Sequence, residues 1–225
     1  MPSKKAGAAP RRAAMAAIAY AAAVLAVDTL AAQMVRWPFD WHGLFAWRMD
    51  SGFDLFKCVF WGAIPLAFCL RCMDWGWLGV ARWRKTDLWL LAALAAAGSA
   101  AMLVIPLFPA LRDIYPGLSG APASARQEFA ITYAIWTLSW LPAWEFLHRY
   151  FLLTRVDRAW PRLGWLIVPL SETLYHLQKP WPEAAGMLAL SLVLTWWARK
   201  RRNLLLPLVV HAIIEAQLVL FILVT

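Results

Sequence analysis

The sequence predicts an all-α fold, a polytopic membrane bundle of about seven transmembrane helices. Of the 225 residues, 62% are hydrophobic and only 16% are charged, whereas a soluble domain of this size has about 25% charged residues. The apolar residues also fall in long runs, and a transmembrane helix needs roughly 20 of them in succession. We therefore expect a multi-pass membrane protein with little material outside the bilayer.

Seven apolar runs follow one another between short polar links. The first is Ala-rich and longer than the apolar core of a signal peptide, about 7–15 residues, so we interpret it as an uncleaved span. Before the second run, Trp37, Trp41 and Trp47 are typical of the membrane interface. The fifth and sixth runs are short. The predicted spans are Ala13–Met34, Phe53–Leu70, Leu88–Phe108, Phe129–Thr154, Leu163–Leu177, Pro182–Trp197 and Leu204–Val224.

Lysine and arginine residues alternate in density from one loop to the next. With the N-terminus in the cytoplasm, fifteen of the 22 fall in inside segments, six in outside segments, and Arg149 lies within a span. Cytoplasmic loops of membrane proteins carry such an excess. We therefore predict a cell-membrane protein with a cytoplasmic N-terminus and an extracytoplasmic C-terminus. This topology also explains the net charge of +9, so the partner we expect is the lipid bilayer and not a nucleic acid.

Three of the predicted spans, the fourth, fifth and seventh, each contain a pair of ionisable residues. A charge near the bilayer centre costs on the order of 3 kcal/mol or more, so such residues are candidates for function. Within each pair the two residues are four positions apart, which puts their side chains on one helix face. The candidate site residues are Glu145, Arg149, Glu172, His176, His211 and Glu215.

The depth of these residues follows from their distance to the nearest cytoplasmic arginine. At about 1.5 Å per residue, Glu145 lies roughly 15 Å, His211 roughly 14 Å and His176 roughly 21 Å into the membrane. His176 is still within reach of the other two residues if the helices tilt by about 20°. We therefore expect the carboxylates and imidazoles to line one water-accessible cavity between spans four, five and seven. Pro142, one turn before Glu145, favours a kink in the fourth span.

The chemistry that suits such a cluster is the activation of water. A carboxylate withdrawn from water can act as a general base. Two imidazoles can orient the water, stabilise an oxyanion or bind a zinc ion. The sequence has no HExxH motif, so a zinc site would have to be assembled from separate helices. We expect no cofactor, with zinc as the alternative.

The three motifs together resemble the CaaX protease and bacteriocin-processing (CPBP) family of intramembrane proteases. The family pattern is EExxxR in one span, FxxxH in the next and HxxxN or HxxxD two spans later. Here the stretches read WEFLHR (Trp144–Arg149), ETLYH (Glu172–His176) and HAIIE (His211–Glu215), and the sixth span carries no motif. The resemblance covers about residues 128–225, which we interpret as a catalytic helical core of four spans. Residues 1–127 form an N-terminal membrane region of three spans.

The resemblance implies an endopeptidase that cleaves a membrane-associated protein or peptide with glutamate-activated water and two histidines. The sequence departs from the family at three positions. The first glutamate, to which the family's water-activating role is usually given, is Trp144. The phenylalanine of the second motif is Glu172, and the closing residue is Glu215. We infer that Glu145 or Glu172 supplies the missing base, and Glu172 has no obvious cationic partner in the sequence.

Two other functions remain open at this point. A catalytically inactive, CPBP-like membrane scaffold or immunity factor would bind peptides without cutting them. A proton-coupled transporter would use the glutamates and histidines as a proton relay. Against a transporter, the sequence has neither an inverted repeat nor paired Gly/Pro-broken helices in its two halves.

Overall fold

The computed structural model describes residues 8–33, 51–79 and 83–225, except for the side chains of residues 31–33 and 78. Within these ranges the chain is a helical bundle, as predicted. The loop 34–50, with the aromatic residues predicted for the membrane interface, lies outside the described residues. The helices are α1 (Ala8–Gln33); α2, a π-helix Lys57–Ala63 that continues as the α-helix Ile64–Cys69; α3 (Lys85–Met102); α4 (Pro109–Ile114); α5 (Ala123–Phe146), joined by the π-helix Leu147–Leu152 to α6 (Leu153–Ala159); α7 (Ile167–His176); α8 (Trp181–Arg201); and α9 (Leu205–Val224).

Each of the seven predicted spans coincides with a helical segment. Three helical stretches of the described chain are long and apolar enough to cross a membrane, namely Ala8–Leu30, Lys85–Leu107 and Leu205–Val224. Helix α7, in contrast, has only 10 residues, which is about 15 Å and roughly half of a bilayer's hydrocarbon core. The protein is a helical membrane protein, while the number of spans stays a prediction.

Helix α1 packs against the end of the fourth predicted span. Alanine favours a helix and adds little bulk, and Ala14, Ala17 and Ala21 form a fully buried stripe at helical spacing. This stripe lets the helix approach closely, and the ring of Tyr20 reaches Phe151 at a centroid distance of 5.6 Å. The N-terminal region thus shares a hydrophobic core with the segment that carries the first motif.

Helices α3 and α9 cross at Gly98. A Cβ atom at this position would meet Gln217 Oε1 at 2.5 Å and Ile214 Cγ1 at 2.9 Å, so only glycine fits without movement of a neighbour. The amide of Gln217 donates to the backbone oxygen of Ala95 at 2.9 Å and to the hydroxyl of Ser99 at 3.0 Å. Small residues and interhelical hydrogen bonds of this kind hold membrane helices together.

Candidate active site

The segment of the first motif is a continuous helix that changes its winding. Helix α5 runs through Pro142 and passes at Leu147 into a π-helical stretch that ends at Leu152. Such π-turns are rare and occur often at functional sites. The stretch contains Arg149, whose Nη1 donates to Glu145 Oε2 at 2.6 Å. The ion pair predicted from the spacing of four is therefore formed.

Arg149 also reaches a second helix. Its Nη2 donates to Glu172 Oε2 of α7 at 2.9 Å, and the hydroxyl of Ser191 on α8 donates to the same oxygen. All three charged residues are at most 1% exposed. The expectation that Glu172 has no cationic partner is therefore wrong, because its partner comes from another helix and not from its own motif.

His211 joins α9 to this buried group. Its Nδ1 lies 2.9 Å from Glu145 Oε1, so both oxygens of Glu145 are engaged, one by Arg149 and one by the imidazole. A carboxylate is an acceptor, so Nδ1 is the protonated nitrogen of this contact. The opposite nitrogen, Nε2, lies 3.7 Å from Glu215 Oε1. Glu145 thus sets the orientation of the His211 imidazole. The sequence alone did not show which carboxylate would contact this ring.

His176 is held by backbone and not by a carboxylate. Its Nδ1 lies 2.8 Å from the backbone oxygen of Glu172, four residues earlier. Because a carbonyl oxygen only accepts, Nδ1 carries the proton and Nε2 is the other end of the ring. The carboxylate of Glu172 is instead bound by Arg149 and Ser191. The ring packs at 5.8 Å, centroid to centroid, from the indole of Trp144.

Tyr133 belongs to the site and was missed by the sequence analysis. Its hydroxyl donates to Glu215 Oε2 at 2.7 Å. It lies twelve residues, or three and a third helical turns, before Glu145 in the same helix. Nothing in the motif pattern marks this tyrosine, and only the packing of α5 against α9 brings it to Glu215.

A cavity of about 1220 Å³ opens beside these residues and is lined mostly by apolar side chains. His176, His211 and Glu215 line it, together with Tyr133. Glu145 and Glu172 are not among the lining residues and are fully buried. The expectation that all five predicted acid–base residues line one cavity is thus corrected, since the two carboxylates bound to Arg149 lie behind its wall.

Three tryptophan residues of the fourth predicted span, spaced four positions apart, form part of this wall. Trp136, Trp140 and Trp144 all line the cavity, and neighbouring indole rings are 5.3 Å and 6.5 Å apart. Trp144 is 1% exposed and packs against Trp61 of α2 at 5.3 Å. The residue that replaces the family's first glutamate is therefore a packed wall residue.

A second cluster of polar side chains lines the same cavity near α1 and the start of α2. Lys57 Nζ is 3.5 Å from Asp54 and 3.8 Å from Asp28, and the hydroxyl of Tyr175 donates to Asp28 at 2.5 Å. Asp28 lies in α1, Lys57 in α2 and Tyr175 in α7, while Asp54 lies just before α2. No sequence motif groups them. One ammonium group and two carboxylates therefore lie together on this side of the cavity.

The link before α5 closes another side of the cavity. Tyr115 donates to Glu183 Oε2 at 2.8 Å. Burial of the phenol, together with the nearby charge of Glu183, raises the pKa of Tyr115. Its hydroxyl therefore stays protonated over the neutral range and remains a donor to this carboxylate.

The side chains of the described region do not offer a ready zinc site. No group of three His, Cys, Asp or Glu residues within residues 8–33, 51–79 and 83–225 converges in a way that could hold a metal ion. Glu145 is committed to Arg149 and His211. His176 and His211 are each held through Nδ1, which leaves Nε2 of each ring for contact with a bound group.

The fold and site together describe a helical membrane protein in which a buried ion network supports two imidazoles and a carboxylate at a cavity. Residues 126–216 match a family model described as type II CAAX prenyl endopeptidase, Rce1-like. This segment holds all three motifs, and the match confirms the predicted resemblance to the CPBP family. It supports a CAAX-type intramembrane protease, with a protein or peptide substrate in the membrane. No curated protein and no solved structure matches the chain.

Proposed function

We propose that the protein is an intramembrane endopeptidase that hydrolyses a peptide bond in a membrane-associated protein or peptide. The observation that carries this proposal is the position of His211, whose Nδ1 is 2.9 Å from the buried Glu145 and whose Nε2 is 3.7 Å from Glu215. Both His211 and Glu215 line the cavity. An oriented imidazole next to a carboxylate, in a largely apolar cavity, suits general acid–base attack of water on a carbonyl.

In the proposed reaction a carboxylate takes one proton from a water molecule as the water oxygen bonds to the carbonyl carbon. The negative charge on the former carbonyl oxygen is stabilised by His176 and His211, which in their protonated form donate from Nε2. The carboxylic acid then gives its proton to the amide nitrogen as the C–N bond breaks. Glu145 acts through His211, and no metal ion takes part.

A reporter assay tests the proposal. The full chain, reconstituted in liposomes, should cleave a prenylated CaaX peptide. In a second assay, membranes from cells with the protein should contain shortened forms of membrane proteins that are absent from cells without it. The His211→Gln variant should lose about 100-fold or more of this activity. Glu128→Gln, an exposed position at the start of α5, serves as the matched control and should cleave normally.

A chelator separates the metal-free mechanism from its alternative. Activity should be unchanged after treatment with 1,10-phenanthroline. Full inhibition that added zinc reverses would overturn the metal-free part of the proposal, whereas no cleavage of either the peptide or any membrane protein would overturn the enzymatic function itself.

One observation favours a second candidate, a non-catalytic scaffold of the same family. Trp144 occupies the position of the family's first glutamate and is 1% exposed. A scaffold would keep its peptide partner whether or not His211 is present. Equal partner recovery from wild-type and His211→Gln membranes, without any cleaved product, would support this candidate.

A further inference from the structure

The three carboxylates of the cluster are in different positions relative to the cavity. Glu145 has one oxygen bound by Arg149 and the other by His211. Glu172 is 0% exposed, and its Oε2 accepts from both Arg149 and Ser191. Glu215 lines the cavity, and its side chain is 16% exposed. Of the three, it is the one that a water molecule in the cavity can reach.

The two oxygens of Glu215 have separate surroundings. Oε2 accepts the hydroxyl proton of Tyr133 at 2.7 Å. Oε1 lies 3.7 Å from His211 Nε2 and accepts no hydrogen bond from any described residue. The tyrosine therefore fixes the carboxylate by one oxygen and leaves the other next to the imidazole, where an incoming water can donate to it.

At position 144 the wall of the cavity carries an indole and no carboxylate. The indole of Trp144 contacts the ring of His148 at 4.1 Å and that of Trp61 at 5.3 Å. The helix that carries Glu145 thus presents an aromatic surface to the cavity at this point. The last helix, α9, presents the carboxylate instead.

On this geometry we propose that Glu215 is the general base of the endopeptidase and that Tyr133 is its positioning residue. The inference rests on the proposed function and deepens it. Glu215 Oε1 takes a proton from water as the O–C bond forms at the scissile carbonyl. The same proton passes to the amide nitrogen as the C–N bond breaks, so that Glu215 ends as a carboxylate and the products are an acid and an amine.

The test compares matched variants of the reconstituted full chain on one substrate that the wild type cleaves. Glu215→Gln should lower kcat by about 100-fold or more with KM within about twofold, because the amide cannot accept the proton. Tyr133→Phe should lower kcat by about tenfold, again with KM little changed, since it releases the carboxylate without removing it. Tyr20→Phe removes a comparable half-buried hydrogen bond, which the hydroxyl donates to the backbone oxygen of Phe60 at 2.6 Å, and should leave both constants unchanged.

Glu215→Asp guards against a folding failure of the amide variant. It keeps the charge and shortens the side chain by one methylene group, so it should retain part of the activity and the wild-type melting temperature. Glu215→Gln with wild-type kcat would overturn the inference while leaving the endopeptidase intact. An equal loss of kcat in Glu215→Asp, Glu215→Gln and Tyr20→Phe, together with lowered melting temperatures, would also overturn the inference, because Glu215 would then have a structural role only. A wild type without any activity would instead overturn the proposed function.

Discussion

At the scale of single residues, Arg149 is the centre of the buried charge network. It donates to Glu145 at 2.6 Å and to Glu172 at 2.9 Å, and all three residues are excluded from water. The Coulomb attraction and the hydrogen bonds offset a desolvation cost of several kcal/mol for each ion. Removal of the cation alone leaves two buried carboxylates next to each other.

We therefore expect Arg149→Met to lower the free energy of unfolding by about 3–5 kcal/mol. Unfolding in mixed detergent micelles, followed by circular dichroism, measures this change. The triple variant with Glu145→Gln and Glu172→Gln should recover part of the loss, because no unpaired charge remains. An Arg149→Met protein as stable as the wild type would contradict the network.

Glu172 gives a second prediction at this scale. Its carboxylate supports Arg149 from behind the cavity wall, so Glu172→Gln should reduce kcat/KM by roughly tenfold, as for groups that act through a partner. His211→Gln should cost more, about 100-fold or beyond. Steady-state kinetics on one substrate compares the two. Complete loss in the Glu172 variant would instead assign the base to that residue.

The sequence predicted one contact of this candidate site and missed the others. Spacing along one helix identified the pair Glu145 and Arg149, because residues four apart share a face. It could not identify Arg149 with Glu172 or Glu145 with His211, since these contacts join different helices. Tyr133 carried no signal at all, because a tyrosine in an aromatic-rich span is indistinguishable from its neighbours.

At the scale of helices, the apolar runs predicted the elements and missed their winding. A run of roughly 20 apolar residues satisfies its own backbone hydrogen bonds as a helix in lipid, so every predicted span coincides with a helical segment. The π-turns at Lys57–Ala63 and Leu147–Leu152 were not predicted. Composition does not encode a π-turn, which depends on how the helix packs against its neighbours.

Helix crossing at Gly98 gives a prediction at this scale. Gly98→Val should force α3 away from α9 and break the hydrogen bonds of Gln217 to Ala95 and Ser99. We expect a loss of about 1–3 kcal/mol, the usual cost of overpacking, measured as a lower melting temperature in detergent. Gly186→Val is the matched control, because nothing lies within 4 Å of a Cβ at that position of α8. Equal melting temperatures for the two variants would contradict the close approach.

At the scale of the whole molecule, the distribution of lysine and arginine residues among the loops indicates how the chain is oriented in the membrane. Fifteen lysine and arginine residues in the predicted inside segments against six outside favour a cytoplasmic N-terminus. With seven spans, Thr225 then lies on the other side of the membrane. The short α7 is the element on which this count depends, since its 10 residues cover only part of the bilayer.

Reporter fusions test this topology. A cytoplasmic reporter should be active at the N-terminus and inactive at Thr225, and a reporter that needs export should behave in the opposite way. A further fusion at Lys179, which follows α7, should report the extracytoplasmic side. Reporters that place both termini on one side of the membrane would contradict seven spans. A cytoplasmic result at Lys179 would show that the fifth predicted span does not cross the membrane.

The row of indoles along the cavity has an optical consequence. Trp136 and Trp140 lie 5.3 Å apart at an interplanar angle of 54°, and Trp144 lies 6.5 Å further on at 88° from Trp140. Excited states of chromophores so close and so inclined mix with one another, which produces paired circular dichroism bands of opposite sign. If the proposed peptide substrate binds in this cavity, we expect it to contact these rings and to change the polarity around them. Binding of a ligand in the cavity should therefore be measurable by circular dichroism of these tryptophans, without an attached label.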